Sequence, residues 1–189
     1  MSLRVLAFAP ATNEAGKIGA VVSKIPRDIV TEIIIYDDGS TDRTGEEAAA
    51  QGARILRSET RRGVGATIRE GIRYGRANGF EVMVVMAGND KDDPKEIPRL
   101  LKPIEEDSAD FMQGSRYLPG GGFGNMPYYR TVATRLVHPT LFSLIARRWI
   151  TDSTNGFRAF RLSLFDDKRI DIEQDWLDRY ELEPYIFFK

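Results

Sequence analysis

Residues 32–42 read Glu-Ile-Ile-Ile-Tyr-Asp-Asp-Gly-Ser-Thr-Asp, an apolar run that changes abruptly into a polar turn. The run Ile33-Ile34-Ile35 is continuous rather than alternating, which is typical of a strand buried on both faces of a parallel sheet. The polar part contains Gly39 and then Ser40-Thr41-Asp42, a cluster of N-cap residues for a helix from about Thr44. A buried strand that leads directly into a helix is the repeating unit of an α/β protein.

The same alternation continues on both sides of this stretch. Further apolar runs of strand length lie at residues 3–9, 53–56, 81–87 and 110–114. Between them, apolar residues recur at helical spacing over residues 14–25, 64–78 and 94–104, and Asn13 or Glu14 is predicted to open the first of these helices. Right-handed connections between such strands give a mostly parallel, doubly wound α/β sheet. The sequence therefore predicts a single domain of this class over residues 1–189.

The regular alternation stops after residue 114. A glycine-rich loop at residues 119–127 is followed by a helical stretch from about Tyr128, with a predicted interruption at His138-Pro139. A polar turn and a short strand at residues 157–160 come next. The chain ends in Pro-Tyr-Ile-Phe-Phe-Lys, and we expect exposed aromatic side chains there, against a missing segment or a second subunit.

The composition excludes several classes of function. The chain has 189 residues, a net charge of −1, no cysteine and one histidine, His138. These counts exclude a disulfide framework, an iron–sulfur cluster, a cysteine nucleophile and a poly-histidine metal centre. A near-neutral chain also lacks the basic surface that most nucleic-acid-binding proteins carry, so no nucleic-acid partner is expected.

The sequence also predicts where the protein resides. The N-terminus reaches its first apolar run at once and lacks a signal-peptide pattern. The most apolar helical stretch, residues 141–150, is interrupted by Arg147 and Arg148 and is too short to span a bilayer. We therefore expect a soluble, cytoplasmic protein.

Polar residues follow each of the first four predicted strands, at residues 10–14, 37–42, 61–65 and 88–93. Ligands of open α/β sheets bind beyond the carboxyl ends of the strands, so these segments predict a site for a charged, oxygen-rich ligand. Each segment alone has a structural explanation as a turn, a helix cap or a solvated loop. A dinucleotide fingerprint after the first strand and a phosphate-binding P-loop are both missing from the sequence.

The ordered motifs resemble family-two glycosyltransferases of the GT-A fold, most closely the dolichyl-phosphate mannosyltransferase-like branch and its polyprenyl-phosphate glucosyltransferase relatives. The resemblance rests on five segments, at residues 10–14, 36–42, 62–66, 114–117 and 152–158. It implies a nucleotide-diphospho-sugar transferase fold, with a donor half at residues 1–113 and an acceptor half at 114–189 that is truncated at its C-terminus. It also implies transfer of a sugar from a donor of the GDP-mannose or UDP-glucose type.

The resemblance assigns roles to individual residues. The donor-binding residues that it implies are Pro10, Ala11, Glu14, Asp37, Asp38, Arg62 and Gly88. Arg116 and Arg130 would face the diphosphate or an acceptor phosphate, where guanidinium groups stabilise negative charge. Asp152 would lie near the reacting centre and would be the leading general base for a hydroxyl acceptor.

The implied acceptor is a polyprenyl or dolichyl phosphate. Such a phosphate is already nucleophilic and needs no general base. Residues 130–150 would then meet the membrane that carries the lipid, and the protein would be peripheral at the inner membrane face. The alternative for residues 130–150 is a helix pair packed on the sheet.

One departure from the family pattern concerns the Mg²⁺ or Mn²⁺ ion that usually holds the donor diphosphate. The usual Asp-x-Asp, with a glutamine two residues on, is replaced here by Ala87, Asn89 and Lys91. Asn89 and Asp90 could supply oxygen ligands if Asp90 bends inward, or the charge of Lys91 could replace the ion. An alternative function follows, a weak or inactive nucleotide-sugar-binding relative, and a ligand-free interaction scaffold is a third possibility.

Overall fold

The computed structural model describes residues 3–122 and 127–189. The strands of this part are β1 (Val5–Ala11), β2 (Glu32–Asp38), β3 (Arg54–Ser58), β4 (Val82–Val85), β5 (Phe111–Gln113) and β6 (Arg158–Arg161). They form one sheet in the order β3-β2-β1-β4-β6-β5. Strands β1 to β4 pair in parallel, and β6 runs antiparallel to β4 and β5. The predicted mostly parallel α/β sheet is confirmed.

Helices cover both faces of the sheet. They are α1 (Ile18–Lys24), α2 (Thr44–Ala50), α3 (Val64–Ala77), α4 (Ile97–Glu105), α5 (Tyr128–Val132), α6 (His138–Ala146) and α7 (Leu182–Phe188). Alternate residues of β1 enter two separate apolar cores, one with α1 and α4 and the other with α3 and the C-terminal segment. Burial on both faces explains why the strands are continuous apolar runs.

The first helix begins at Ile18 rather than at residue 13 or 14. Asn13 has a left-handed backbone, with φ of 55°, and its side-chain oxygen accepts a hydrogen bond from Thr41 N at 2.9 Å. Glu14 N donates to Thr44 Oγ1 at 2.8 Å. Residues 12–17 are therefore a turn that ties the end of β1 to the turn after β2.

One prediction about the second half of the chain is wrong, and another is confirmed only in part. His138-Pro139 does not interrupt the helical stretch, because a π-helical turn, Ala133–Val137, leads directly into α6 with a right-handed backbone. Pro139 has no N–H to donate to the preceding turn, and that turn is π-helical rather than α-helical. The expected exposed aromatic end is present only in part: Phe188 is 40% exposed, whereas Tyr185 and Phe187 are half-buried and the neighbouring Ile186 lies in the second core.

Candidate active site

A cavity of about 610 Å³ lies at the carboxyl ends of β1, β2 and β4, and we call it the strand-end cavity. It is lined by Pro10, Ala11, Thr12, Glu14, Asp38, Arg61, Arg62, Gly63, Val64, Thr67, Ile68, Val85, Met86, Ala87, Gly88, Asn89, Gly156, Arg179, Tyr180 and Glu183. These include six of the seven residues that the family resemblance assigned to binding of a nucleotide-sugar donor. Asp37 is the exception, although it is next to Asp38 in the chain.

The two neighbouring aspartates of β2 have different surroundings. Asp38 accepts hydrogen bonds from Arg62 N at 2.7 Å and from Gly63 N at 3.0 Å, so it fixes the loop after β3 against the cavity. Asp37 accepts from Ser40 N at 2.9 Å, and Arg57 Nε lies 3.6 Å from its other oxygen. Successive side chains of a strand point to opposite faces, which explains why only Asp38 lines the cavity.

The C-terminal segment forms one wall of the strand-end cavity. Gly63 has φ of +103°, and a Cβ there would lie 2.6 Å from the carbonyl oxygen of Asp178. A Cβ at Gly65 would overlap the carbonyl oxygen of Leu177 and lie 2.5 Å from that of Arg179. Ala66 N donates to the Asp178 carbonyl at 2.9 Å. The glycines thus let residues 177–179 pack against the start of α3.

A second cavity of about 400 Å³ adjoins the first, and we call it the loop cavity. It is lined by residues 91–93, 96, 99–100, 112–116, 118–122, 155 and 157. Gly88 and Asn89 line the strand-end cavity, whereas Lys91 and Asp92 line the loop cavity. Likewise Gly156 lines the strand-end cavity, and its chain neighbours Asn155 and Phe157 line the loop cavity. The segment after β4 therefore runs between the two cavities.

Arg116 and Asp152 form a bidentate ion pair beside the loop cavity. Arg116 Nε donates to Asp152 Oδ2 at 2.7 Å, and Arg116 Nη2 donates to Oδ1 at 2.9 Å. The Asp152 side chain is fully buried, while Arg116 keeps 21% of its side chain exposed. The sequence prediction named both residues, and the structure places them in direct contact with the guanidinium at the cavity wall.

The ion pair with Arg116 favours the ionised form of the Asp152 carboxyl. Burial raises the pKa of its carboxyl, but hydrogen bonds and charge from Arg116, with the Thr154 N–H, outweigh burial and lower it below the usual value. The hydrogen bond to Asp152 in turn raises the pKa of Arg116. A carboxylate with both oxygens occupied and a lowered pKa is a weak proton acceptor. The geometry therefore argues against Asp152 as a general base.

A buried polar chain connects the ion pair with the strand-end cavity. Gln113 Nε2 donates to the carbonyl of Asp152, and its side-chain oxygen accepts from Arg158 Nε at 3.0 Å. Arg158 Nη1 lies 3.0 Å from Glu183 Oε1, and Glu183 lines the strand-end cavity. Burial lowers the pKa of Arg158, and the charges of Glu183 and Asp152 oppose that shift. Sequence reasoning missed Gln113, Arg158 and Glu183 as parts of the site.

Asp90 and Arg130 line neither cavity, as is also true of Asp37 and Asp152. Asp90 does not bend inward: its backbone is left-handed, with φ of 61°, and its carboxylate accepts from Lys24 Nζ at 2.6 Å on helix α1. Arg130 is exposed on α5 and lines neither cavity. For the metal site, the assignment of Asp90 as a ligand is therefore wrong, and a role for Arg130 stays a prediction.

The remaining oxygen-bearing side chains after β4 do not converge on one point. Asn89 Oδ1 accepts from Lys91 N at 3.3 Å, and Asp92 Oδ2 accepts from Ala87 N at 2.9 Å. Burial raises the pKa of Asp92, partly offset by that hydrogen bond and by the charges of Arg116 and Lys91. Within residues 3–122 and 127–189, no group of three or more acidic, histidine or cysteine side chains could hold a metal ion. These residues do not fit a divalent-cation site.

Helices α5 and α6, with the π-helical turn between them and the residues that follow α6, carry a broad exposed apolar surface, which we call the apolar helical face. Its members are each at least half exposed: Tyr128, Tyr129, Leu136, Val137, Leu141, Leu144, Ile145 and Trp149. Trp149 is 89% exposed. Arg135 in the π-helical turn, and Arg147 and Arg148 just after α6, are also exposed. In the described part of the chain, no helix combines the length and the hydropathy that crossing a bilayer requires.

Comparison with known proteins identifies the family. The sequence profile of glycosyl transferase family 2 matches residues 7–168. The chain belongs to this family. It is 32% identical over 168 residues to the undecaprenyl-phosphate mannosyltransferase of Micrococcus luteus, covering 84% of this chain and 67% of the relative. It is 31% identical over 170 residues to the polyprenol monophosphomannose synthase of Mycolicibacterium smegmatis, covering 86% of this chain and 63% of that one.

A solved structure shares the fold of this family-2 member. Glucosyl-3-phosphoglycerate synthase from Mycobacterium tuberculosis, solved with Mn²⁺, UDP-glucose and phosphoglyceric acid, superposes with a TM-score of 0.65 at 26% identity. The match covers 86% of this chain and 58% of that one. This family-2 chain thus spans about three fifths to two thirds of the length of these relatives. The predicted GT-A fold and the polyprenyl-phosphate glycosyltransferase branch are both confirmed.

Proposed function

We propose that this chain transfers a sugar from a nucleotide-diphosphate sugar, of the GDP-mannose or UDP-glucose type, to a polyprenyl phosphate. The observation that carries the proposal is the strand-end cavity, which gathers Pro10, Ala11, Glu14, Asp38, Arg62 and Gly88 at one sheet edge. The names of the Micrococcus and Mycolicibacterium relatives support the lipid-phosphate acceptor. The nucleotide would occupy the strand-end cavity, and the sugar would enter the loop cavity.

The chemistry suits an acceptor that is already an anion. An oxygen of the lipid phosphate attacks C1 of the sugar, and the bond from C1 to the donor diphosphate breaks with its electron pair on the leaving nucleoside diphosphate. No proton has to be removed from a phosphate, so the weak basicity of Asp152 is no obstacle. Arg116, held in place by Asp152, would stabilise the negative charge that develops on the leaving group.

The test of this proposal is sugar transfer itself. The purified chain is incubated with vesicles that contain a polyprenyl phosphate and with GDP-mannose or UDP-glucose carrying a labelled sugar. We expect label in the lipid fraction with one donor, in a product that mild acid cleaves to the free sugar. Donor binding without any transfer would favour the alternative function, a nucleotide-sugar-binding relative without activity.

We further propose that the apolar helical face rests on the membrane that holds the acceptor. Apolar side chains beside several arginines fit a bilayer with anionic headgroups, because the former enter the acyl boundary while the latter meet the phosphates. Leu144 and Ile145 are 71% and 70% exposed, so they are available for this contact. The proposal gives the protein a peripheral location at the membrane surface.

Glutamate at both positions, L144E/I145E, is expected to weaken binding to anionic vesicles by about 100-fold, because burial of two large apolar side chains contributes about 3 kcal/mol. Vesicle co-sedimentation measures the partition coefficient. The matched control A20E/S23E adds the same charge to the exposed side of α1 and should bind like the wild type. Equal loss in both variants would contradict a specific docking face.

A further inference from the structure

We propose that Lys91 supplies the positive charge for the donor diphosphate and that donor binding needs no divalent cation. This inference rests on the proposed function, since it concerns how the same nucleotide sugar is held. It departs from the solved structure of the synthase from Mycobacterium tuberculosis, which contains Mn²⁺ together with UDP-glucose. Three observations on the segment after β4 carry it.

The first observation is where the diphosphate has to lie. Residues 88–92 run between the two cavities, with Asn89 on the side of the strand-end cavity and Lys91 on the side of the loop cavity. A donor with its nucleotide in the first cavity and its sugar in the second must lay its diphosphate along this segment. Groups on residues 88–92 are therefore placed to meet its charge.

The second observation is that the side-chain oxygens of this segment already accept hydrogen bonds from three separate groups. Asp90 contacts Lys24 on α1, away from both cavities. The Asn89 oxygen accepts from Lys91 N, and Asp92, which lines the loop cavity, accepts from Ala87 N. A divalent cation binds several oxygens that converge at one point. This segment offers no such convergence.

The third observation is the state of Lys91 itself. Its side chain is exposed, it lines the loop cavity with Arg116, and no carboxylate among the described residues forms an ion pair with its ammonium group. Arg116 lines the same cavity, where its Nε and Nη2 donate to Asp152. A flexible ammonium group at the edge between the cavities can form charge-assisted hydrogen bonds with diphosphate oxygens.

The experiment measures nucleotide affinity by calorimetry, with GDP and UDP and with the corresponding monophosphates, in EDTA and in MnCl₂. We expect the wild type to bind one diphosphate with similar affinity in both buffers. K91A should weaken binding of that diphosphate about tenfold in EDTA, because one charge-assisted contact is lost. Its affinity for the monophosphate should change much less.

The control is K95A, which removes an exposed lysine from the same loop that lines neither cavity. It should bind both nucleotides like the wild type. If the wild type loses diphosphate binding in EDTA, this inference is overturned and the proposed function stays intact. The same holds if the K91A and K95A variants bind the diphosphate with equal affinity. Failure to bind any nucleotide in either buffer would overturn the proposed function as well.

Discussion

Replacing Arg116 with alanine is expected to lower the rate of sugar transfer by about 10³-fold, the usual loss when one group that stabilises developing negative charge is removed. The variant should also lose about 3 kcal/mol of unfolding free energy, because Asp152 stays buried without its partner. Transfer assays give the first quantity and denaturant unfolding gives the second. The two effects have separate causes, so they can be separated experimentally.

The double variant R116A/D152N separates them. It removes the buried charge but keeps a side chain that can accept from Thr154 N, so most of the lost stability should return. The rate of transfer should stay low, because the guanidinium is still missing. R43A, which breaks the exposed pair of Arg43 and Glu46, is the control and should change stability by less than about 0.5 kcal/mol. Recovery of both stability and transfer in the double variant would show that Arg116 only packs against Asp152.

Replacing Gly65 with alanine is expected to displace the C-terminal wall of the strand-end cavity. The new methyl group would overlap the Leu177 carbonyl, which is backbone and cannot rotate away. We expect a loss of about 3 kcal/mol in unfolding free energy, the upper part of the range for overpacking. Nucleotide binding should weaken as well, because Arg179, Tyr180 and Glu183 line the cavity from that wall. Denaturant unfolding and calorimetry measure the two effects.

Two further variants keep this prediction testable if G65A folds poorly. G19A adds the same methyl group inside α1, where its nearest neighbour would be at an ordinary 3.8 Å, so it should be neutral or stabilising. R179A removes an exposed side chain of the wall without steric conflict and should weaken nucleotide binding alone. Full stability and full affinity of G65A would contradict a packed C-terminal wall.

The sheet could be predicted from the sequence because each strand is a run of apolar residues that are adjacent in the chain. Ile33-Ile34-Ile35 and the run over residues 82–85 are buried, and polar residues follow each within a few positions, at Asp37 and at Asn89. Since parallel strands end at one edge, the strand-end residues could be grouped without knowing any contact between them. This reasoning found most of the donor-binding candidates that line the strand-end cavity.

Contacts between distant segments were not predictable in the same way. Arg179 and Glu183 reach the strand-end cavity only because residues 177–179 return to the start of α3, more than 100 positions earlier in the chain. Gly63 and Gly65 carried a signal for this close approach, but their spacing also fits a tight helix entry. The alternation of side chains along a strand could have predicted that Asp37 and Asp38 face opposite sides of the sheet, so that only one of them lines the cavity. The direction of Asp90 depends on an ion pair with Lys24 that no local pattern reveals.

The most direct test of the central claim compares two acceptors that differ only in the phosphate. Vesicles carry either a polyprenyl phosphate or the corresponding polyprenol, and labelled donor is added with the wild-type chain. We predict transfer to the phosphate and little to the alcohol, because Asp152 is engaged with Arg116 and its lowered pKa makes it a weak base for a hydroxyl group. Transfer to the alcohol at a comparable rate, or transfer to neither lipid with every donor, would contradict the account.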